Sequence, residues 1–152
     1  MPLTFAYGSN MDYAQMRERC PSAEFVCVAK LQNHKLTFSR YSDKREGGVA
    51  DAISEQGQHV WGVVYRISDT DLRTLDRREG LGINAYVRRA TTVNQDGDES
   101  IPLEAEIYYA IPQDGAPFHP SQTYKDLILN GANHWQLPAD YVTELEKIKV
   151  SQ

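Results

Sequence analysis

The sequence predicts an α+β domain in which a mostly antiparallel, barrel-like sheet is flanked by helices. Strand patterns dominate the middle of the chain, and helical patterns stand on either side of them. No repeat, low-complexity tract or linker interrupts the 152 residues, so residues 1–152 read as a single domain with a sizeable core.

Leu3–Ala6 opens the chain as a short strand, and Tyr7-Gly8-Ser9-Asn10 breaks it. Met11–Arg19 reads as a helix ending before Pro21. Glu24–Ala29, Lys35–Tyr41 and Val49–Ile53 read as separate strands, and Val60–Ile67 as the clearest one. Trp61, Val63, Tyr65 and Ile67 share one of its faces and Val60, Gly62 and Val64 the other, so it is expected at the centre of the sheet. A helix follows from Ser68 to Glu79, its start marked by a capping box of Ser68 and Asp71. Ala85–Val93 and Leu103–Ile111 form a hairpin whose loop, through Asp96-Gly97, exceeds two residues. In the returning strand Ala105, Ile107, Tyr109 and Ile111 give period-two alternation. Pro112, Gly115, Pro117 and Pro120 mark a surface loop. Ser121 caps a helix with Tyr124, Leu127, Ile128 and Gly131 on one stripe, and Pro138 opens a last helix with Tyr141, Leu145 and Ile148 inward.

Composition narrows the function. Hydrophobic residues make up 41% of the chain and the net charge is −5, with no basic run, which argues against a nucleic-acid or anionic-membrane partner. No apolar stretch approaches the length of a membrane span, and the first residues lack the pattern of a signal peptide. Cys20 and Cys27 are the only cysteines, expected as free buried thiols in a reducing cytoplasm. His34, His59, His119 and His134 are scattered without metal-ligand spacing, so no metal site is expected. Gly80-Leu81-Gly82 lacks the rest of a dinucleotide fingerprint, so no nicotinamide or flavin cofactor is implied, and Ser9 stands in no nucleophile elbow.

Glu79 is the residue whose position suggests chemistry. Leu72, Leu75 and Glu79 fall at i, i+3 and i+7, so the carboxyl shares the inward helical face with two leucines. Gly80 supplies a left-handed stop. The negative end of the helix dipole and burial both disfavour ionisation, which raises the pKa toward what a general acid/base needs near neutrality. The plainer alternative is a solvated Glu neutralised by Arg77 and Arg78. The strand–Gly–Ser–Asn–helix unit is the second candidate. Gly8 admits a ligand close to the backbone, Ser9 or Asn10 caps the helix, and its free N–H groups suit a carboxylate. Tyr86 and Tyr124 could each offer a hydroxyl to a polar substrate or to the carboxyl group.

Phe5-Ala6-Tyr7-Gly8-Ser9-Asn10-Met11 resembles the opening signature of the γ-glutamylcyclotransferase family, with Met11 where the family more often has Leu. Leu75-Asp76-Arg77-Arg78-Glu79-Gly80, followed by Tyr86-Val87, is similar to its catalytic segment. Pro21-Ser22-Ala23, Lys30-Leu31-Gln32, Gly47-Gly48-Val49-Ala50, Val60–Tyr65 and Tyr124-Lys125 extend the resemblance nearly end to end. It implies a mixed barrel-like sheet with a cavity and a cyclisation. The α-amine of a γ-glutamyl compound attacks its own γ-carbonyl, releasing 5-oxoproline and an amino acid or amine. Glu79 would be general acid/base, and Ala6, Tyr7, Gly8, Ser9, Asn10, Tyr86 and Tyr124 would contact the small-molecule substrate. The substrate's α-carboxylate and α-amine should both be required. The leaving group should be judged loosely, because no second charged clamp is visible at defined spacing. Two alternatives stay open: a cyclotransferase of the same fold acting on a γ-glutamylamine or pathway-specific metabolite, and a binding module without turnover. The sequence leaves the leaving group unspecified and is compatible with a homodimer.

Overall fold

The computed structural model describes residues 1–151. Five strands close into a barrel in the order β1-β3-β2-β4-β5. They are β1 (Leu3–Ala6), β2 (Glu24–Ser42), β3 (Gly47–Arg66), β4 (Tyr86–Gln95) and β5 (Pro102–Ala110). The helices are α1 (Tyr13–Arg19), α2 (Asp69–Arg78), α3 (Gln122–His134) and α4 (Ala139–Glu146). Neighbours pair antiparallel except β1 and β5, whose parallel contact at Thr4↔Glu106 closes the ring. The expected α+β class and barrel-like sheet are therefore observed.

Two pairs of expected strands are each one long strand. Glu24–Ala29 and Lys35–Tyr41 belong to β2, while Val49–Ile53 and Val60–Ile67 belong to β3, which ends at Arg66. The polar residues between the expected segments form a bulge. Register jumps from Gln32↔His59 to His34↔Ser54, so residues 55–58 stand opposite Asn33 alone. Asn33 (φ 57°) and Gly57 (φ 85°) take the left-handed backbone this requires, and Asn33 Oδ1 accepts from Gly57 N at 3.1 Å. As expected of a central strand, β3 lies between β1 and β2, with Val60, Val63, Val64 and Tyr65 all fully buried. The alternation expected in β5 breaks: Ala105 and Ile107 are buried, but so are Tyr108 and Ala110. Its C-terminal half is covered on both faces because the Tyr108 hydroxyl meets Asp76 of α2 and the Ala110 N–H meets Asp51.

The first helix begins later than expected. Ser9–Met11 forms a single 3-10 turn, and Asp12 caps α1, its carboxylate accepting from Gln15 N at 2.9 Å. Neither Ser9 nor Asn10 is the cap. The α2 cap is also more elaborate than a two-residue box. Ser68 Oγ accepts from Asp71 N at 3.1 Å, but Asp71 turns to Ser22, accepting from its N–H and hydroxyl. Ser22 Oγ in turn accepts from Ser68 N at 2.9 Å, so the segment before β2 completes the cap. At the other end Glu79 is the C-cap and Gly80 (φ 72°) the left-handed stop. On α3, Tyr124, Ile128, Gly131 and Ala132 face the core, with Leu127 only partly covered.

Candidate active site

A cavity of about 310 Å³, a size suited to a small-molecule ligand, opens between four elements. They are the Tyr7–Asn10 segment, the end of α2, the β2–β3 hairpin tip and the first turn of α3. All eight residues expected to form the site line it: Ala6, Tyr7, Gly8, Ser9, Asn10, Glu79, Tyr86 and Tyr124.

Glu79 reaches the cavity from the C-cap of α2, where Leu72 and Leu75 bury the same helical face. Part of its surface stays accessible, and that part lines the cavity. Burial is the largest influence on its carboxyl and raises its pKa, while the charges of Arg19 and Arg45 and the hydrogen bond from Asn10 pull it down. Burial prevails. Arg77 and Arg78, the neutralising partners of the plainer reading, make no ion pair with it among the described residues.

Asn10 is the hub on the opposite side. Its Oδ1 accepts from Gln15 Nε2 at 2.9 Å and Arg19 Nη1 at 3.0 Å. Two donors on the oxygen leave the amide NH₂ for Glu79, and Nδ2 donates to Oε1 at 3.2 Å. Behind the turn, Tyr65 Oη donates to Asn10 O at 2.9 Å and Trp135 Nε1 to Met11 O at 3.0 Å. The carbonyls of the turn are thereby held by the core. Among the described residues, the N–H groups of Gly8, Ser9 and Asn10 meet no protein acceptor. The free N–H groups of this segment are therefore those of the 3-10 turn, since the Asp12 carboxylate caps the start of α1.

The tyrosines form a polar wall already tied to the scaffold. Tyr86 Oη donates to Ala50 O at 2.7 Å, so its proton is engaged and it faces a ligand as an acceptor. Tyr124 Oη accepts from Ala50 N at 3.1 Å, which leaves its own proton to donate. Tyr7 Oη donates to Tyr108 O. Burial pushes all three phenols up, so they stay protonated. Gly8 is not in a left-handed conformation, at φ −114°. A Cβ there would sit 3.0 Å from Ala50 Cβ and 3.3 Å from Tyr124 Oη, so any larger residue would press on the wall of the cavity.

Gln15, Arg19 and Arg45 are functional candidates that the sequence reading missed. Arg45 comes from the hairpin tip, donates to Gln15 Oε1 at 2.8 Å and lies 5.5 Å over the Tyr124 ring. Thirty residues separate Arg45 from Gln15, and no local periodicity signals such a contact. Arg19 carried a weak signal, as one of two cations, with Arg17, in the last turn of the first helix. The thiols of Cys20 and Cys27 are free and buried, and burial pushes both up to about 11, which keeps them unreactive. Among the described residues no group of three or more His, Cys, Asp or Glu side chains is placed to hold a metal ion. None of the described helices is long and apolar enough to cross a membrane.

The chain thus combines a small closed barrel with a half-buried acid that faces a 3-10 turn. The model of the AIG2-like family matches residues 59–145. Among curated proteins, the γ-glutamylcyclotransferase of Mus musculus is 36% identical over 155 residues, covering 99% of this chain and 80% of that protein. The γ-glutamylcyclotransferase of Homo sapiens is 37% identical over 152 residues, covering 97% of this chain and 78% of that one. A solved γ-glutamyl cyclotransferase superposes with a TM-score of 0.92 at 33% identity, over 99% of this chain and 89% of that one. The chain belongs to the γ-glutamylcyclotransferase family.

Proposed function

We propose that this chain is a γ-glutamylcyclotransferase that converts a γ-glutamyl compound into 5-oxoproline and a free amino acid or amine, with Glu79 as general acid/base. One observation carries the assignment of Glu79: a carboxyl of raised pKa lines the cavity and takes a hydrogen bond from Asn10, whose backbone belongs to the turn with unpartnered N–H groups.

The chemistry fits those parts. The α-nitrogen must lose a proton before it can attack, and a free α-ammonium has a pKa of about 8. A carboxyl raised above its ordinary range takes that proton with less mismatch than a solvated one. Attack forms the bond between the α-nitrogen and the γ-carbonyl carbon and drives charge onto the carbonyl oxygen. Breaking the amide bond then expels the amine, which needs a proton from Glu79. Over the whole reaction the α-nitrogen gives up two protons and the leaving nitrogen gains two, so one carboxyl can shuttle both and return to its starting state. Backbone N–H groups of Gly8, Ser9 and Asn10 would receive the α-carboxylate or the developing oxyanion. Tyr124 would donate to a substrate oxygen and Tyr86 would accept from the α-ammonium. Folding the substrate so that amine meets carbonyl removes much of the entropic barrier.

Release of 5-oxoproline from a panel of γ-glutamyl dipeptides and γ-glutamylamines tests this function. Its absence from every compound would reject it.

A further inference from the structure

We propose that Lys44 and Arg45 at the β2–β3 hairpin tip, with Arg40 and Arg78, form an anion subsite that favours an acidic leaving amino acid. The proposal rests on the reading of the chain as a γ-glutamylcyclotransferase. Five cations line the cavity, Arg19, Arg40, Lys44, Arg45 and Arg78, against a single carboxylate, Glu79. The chain as a whole is acidic, with 16 Lys and Arg against 21 Asp and Glu. None of the five lies within 4.0 Å of a carboxylate among the described residues, whose ion pairs belong to Arg88 and Lys147. Asp43 and Glu46, the acids beside the tip, do not line the cavity.

The five are not equivalent. Arg19 is tied to Asn10 beside Glu79 and Arg45 to Gln15, each using part of its guanidinium. Arg40 Nη1 donates to Ile111 O at 3.3 Å. Lys44 and Arg78 are exposed and make no side-chain hydrogen bond among the described residues. Like charges gathered at one opening repel one another, and an anionic guest relieves that repulsion. The γ-glutamyl half cannot do so, because its ammonium and carboxylate cancel. The compensating charge must come from the leaving half. An amine supplies none, a neutral amino acid one carboxylate, and an acidic amino acid two.

The test compares γ-glutamylglutamate, its near-isostere γ-glutamylglutamine, and γ-glutamylethylamide, by kcat/KM at low ionic strength. The glutamate compound should exceed the glutamine compound by about fivefold, the size of one partly exposed charge pair, and the ethylamide should be slowest. The glutamate-to-glutamine ratio should approach one in 1 M salt, where the screening length is about 3 Å. Lys44→Glu/Arg78→Glu should bring that ratio to one or below, and Lys44→Gln/Arg78→Gln should bring it part of the way. A wild-type ratio of one, or a ratio unchanged by both double variants, overturns the proposal while leaving the cyclotransferase reading standing. No 5-oxoproline from any of the three overturns both.

Discussion

At the scale of the residue, opposing influences set the behaviour of Glu79. Its charged neighbours and Asn10 favour the carboxylate, burial favours the acid, and burial is the larger influence. The folded protein therefore holds this proton more tightly than the unfolded chain. That contribution to stability is fully present below the ordinary carboxylate range of about 4.3 and is lost as the pH rises through the raised value. Glu79→Gln has no proton to lose. Its Tm should match the wild type at about pH 4 and exceed it at neutral pH, where the wild type has lost this contribution. A Tm difference that does not change with pH would contradict this. The same elevation sets the acid limb of the wild-type kcat/KM profile, which should fall with a midpoint above the free glutamate value of about 4.3. Arg19→Gln removes the largest opposing charge and should move that midpoint further up, a displacement that loss of packing alone would not produce. The inward face and C-terminal position of Glu79 were legible because Leu72, Leu75 and Gly80 stand next to it in sequence. Arg19 and Arg45 were not, because their influence comes through contacts that only folding creates.

At the scale of the element, the site depends on how closely α3 approaches the 3-10 turn. A Cβ on Gly131 would lie 2.3 Å from Met11 C and 2.4 Å from Met11 Cβ, so only glycine lets the helix seat there. Gly131→Ala must push the turn or the helix aside. It should cost about 1–3 kcal/mol in urea unfolding, as overpacking does, and raise KM because the same turn carries Gly8–Asn10. Unchanged stability and KM together would show that the turn is not held this way. The sequence marked Gly131 only as part of a helical stripe, since close approach leaves no local pattern. Strand boundaries failed for a related reason. The stretch from Ser54 to His59 is polar and contains a glycine, which locally suggests a break, but pairing with β2 carries the strand through as a bulge. The first helix starts later because Asp12 competes successfully with Ser9 and Asn10 for the cap.

At the scale of the whole molecule, the barrel gathers residues that are far apart in sequence around one cavity. Asp76 on α2 accepts from Tyr108 at 2.6 Å and pairs with Arg88 at 2.8 Å, which ties the helix carrying Glu79 to β4 and β5. The class of fold was legible from the succession of strand and helix patterns, and the family from short motifs in the right order. The distribution of charge around the cavity was not. Lys44 carries no local signal and Arg19 only a weak one, and Arg78 suggested only a partner for Glu79, until closure of the barrel places all three around one cavity, which is why a second charged clamp was not expected. The anion site proposed at Gly8–Asn10 makes its own prediction. A γ-glutamyl dipeptide should be turned over, and the same dipeptide with its glutamyl α-carboxylate amidated should not. Equal kcat/KM for the two would remove Gly8–Asn10 from substrate binding. Glu79 itself is tested most directly by the single-turnover rate of 5-oxoproline release from a γ-glutamyl dipeptide, measured for the wild type and for folded Glu79→Gln. Because the amide matches the carboxyl in shape but cannot carry protons, the rate should fall by at least about 100-fold. A rate within about threefold of the wild type, well short of what general acid/base catalysis supplies, would contradict it.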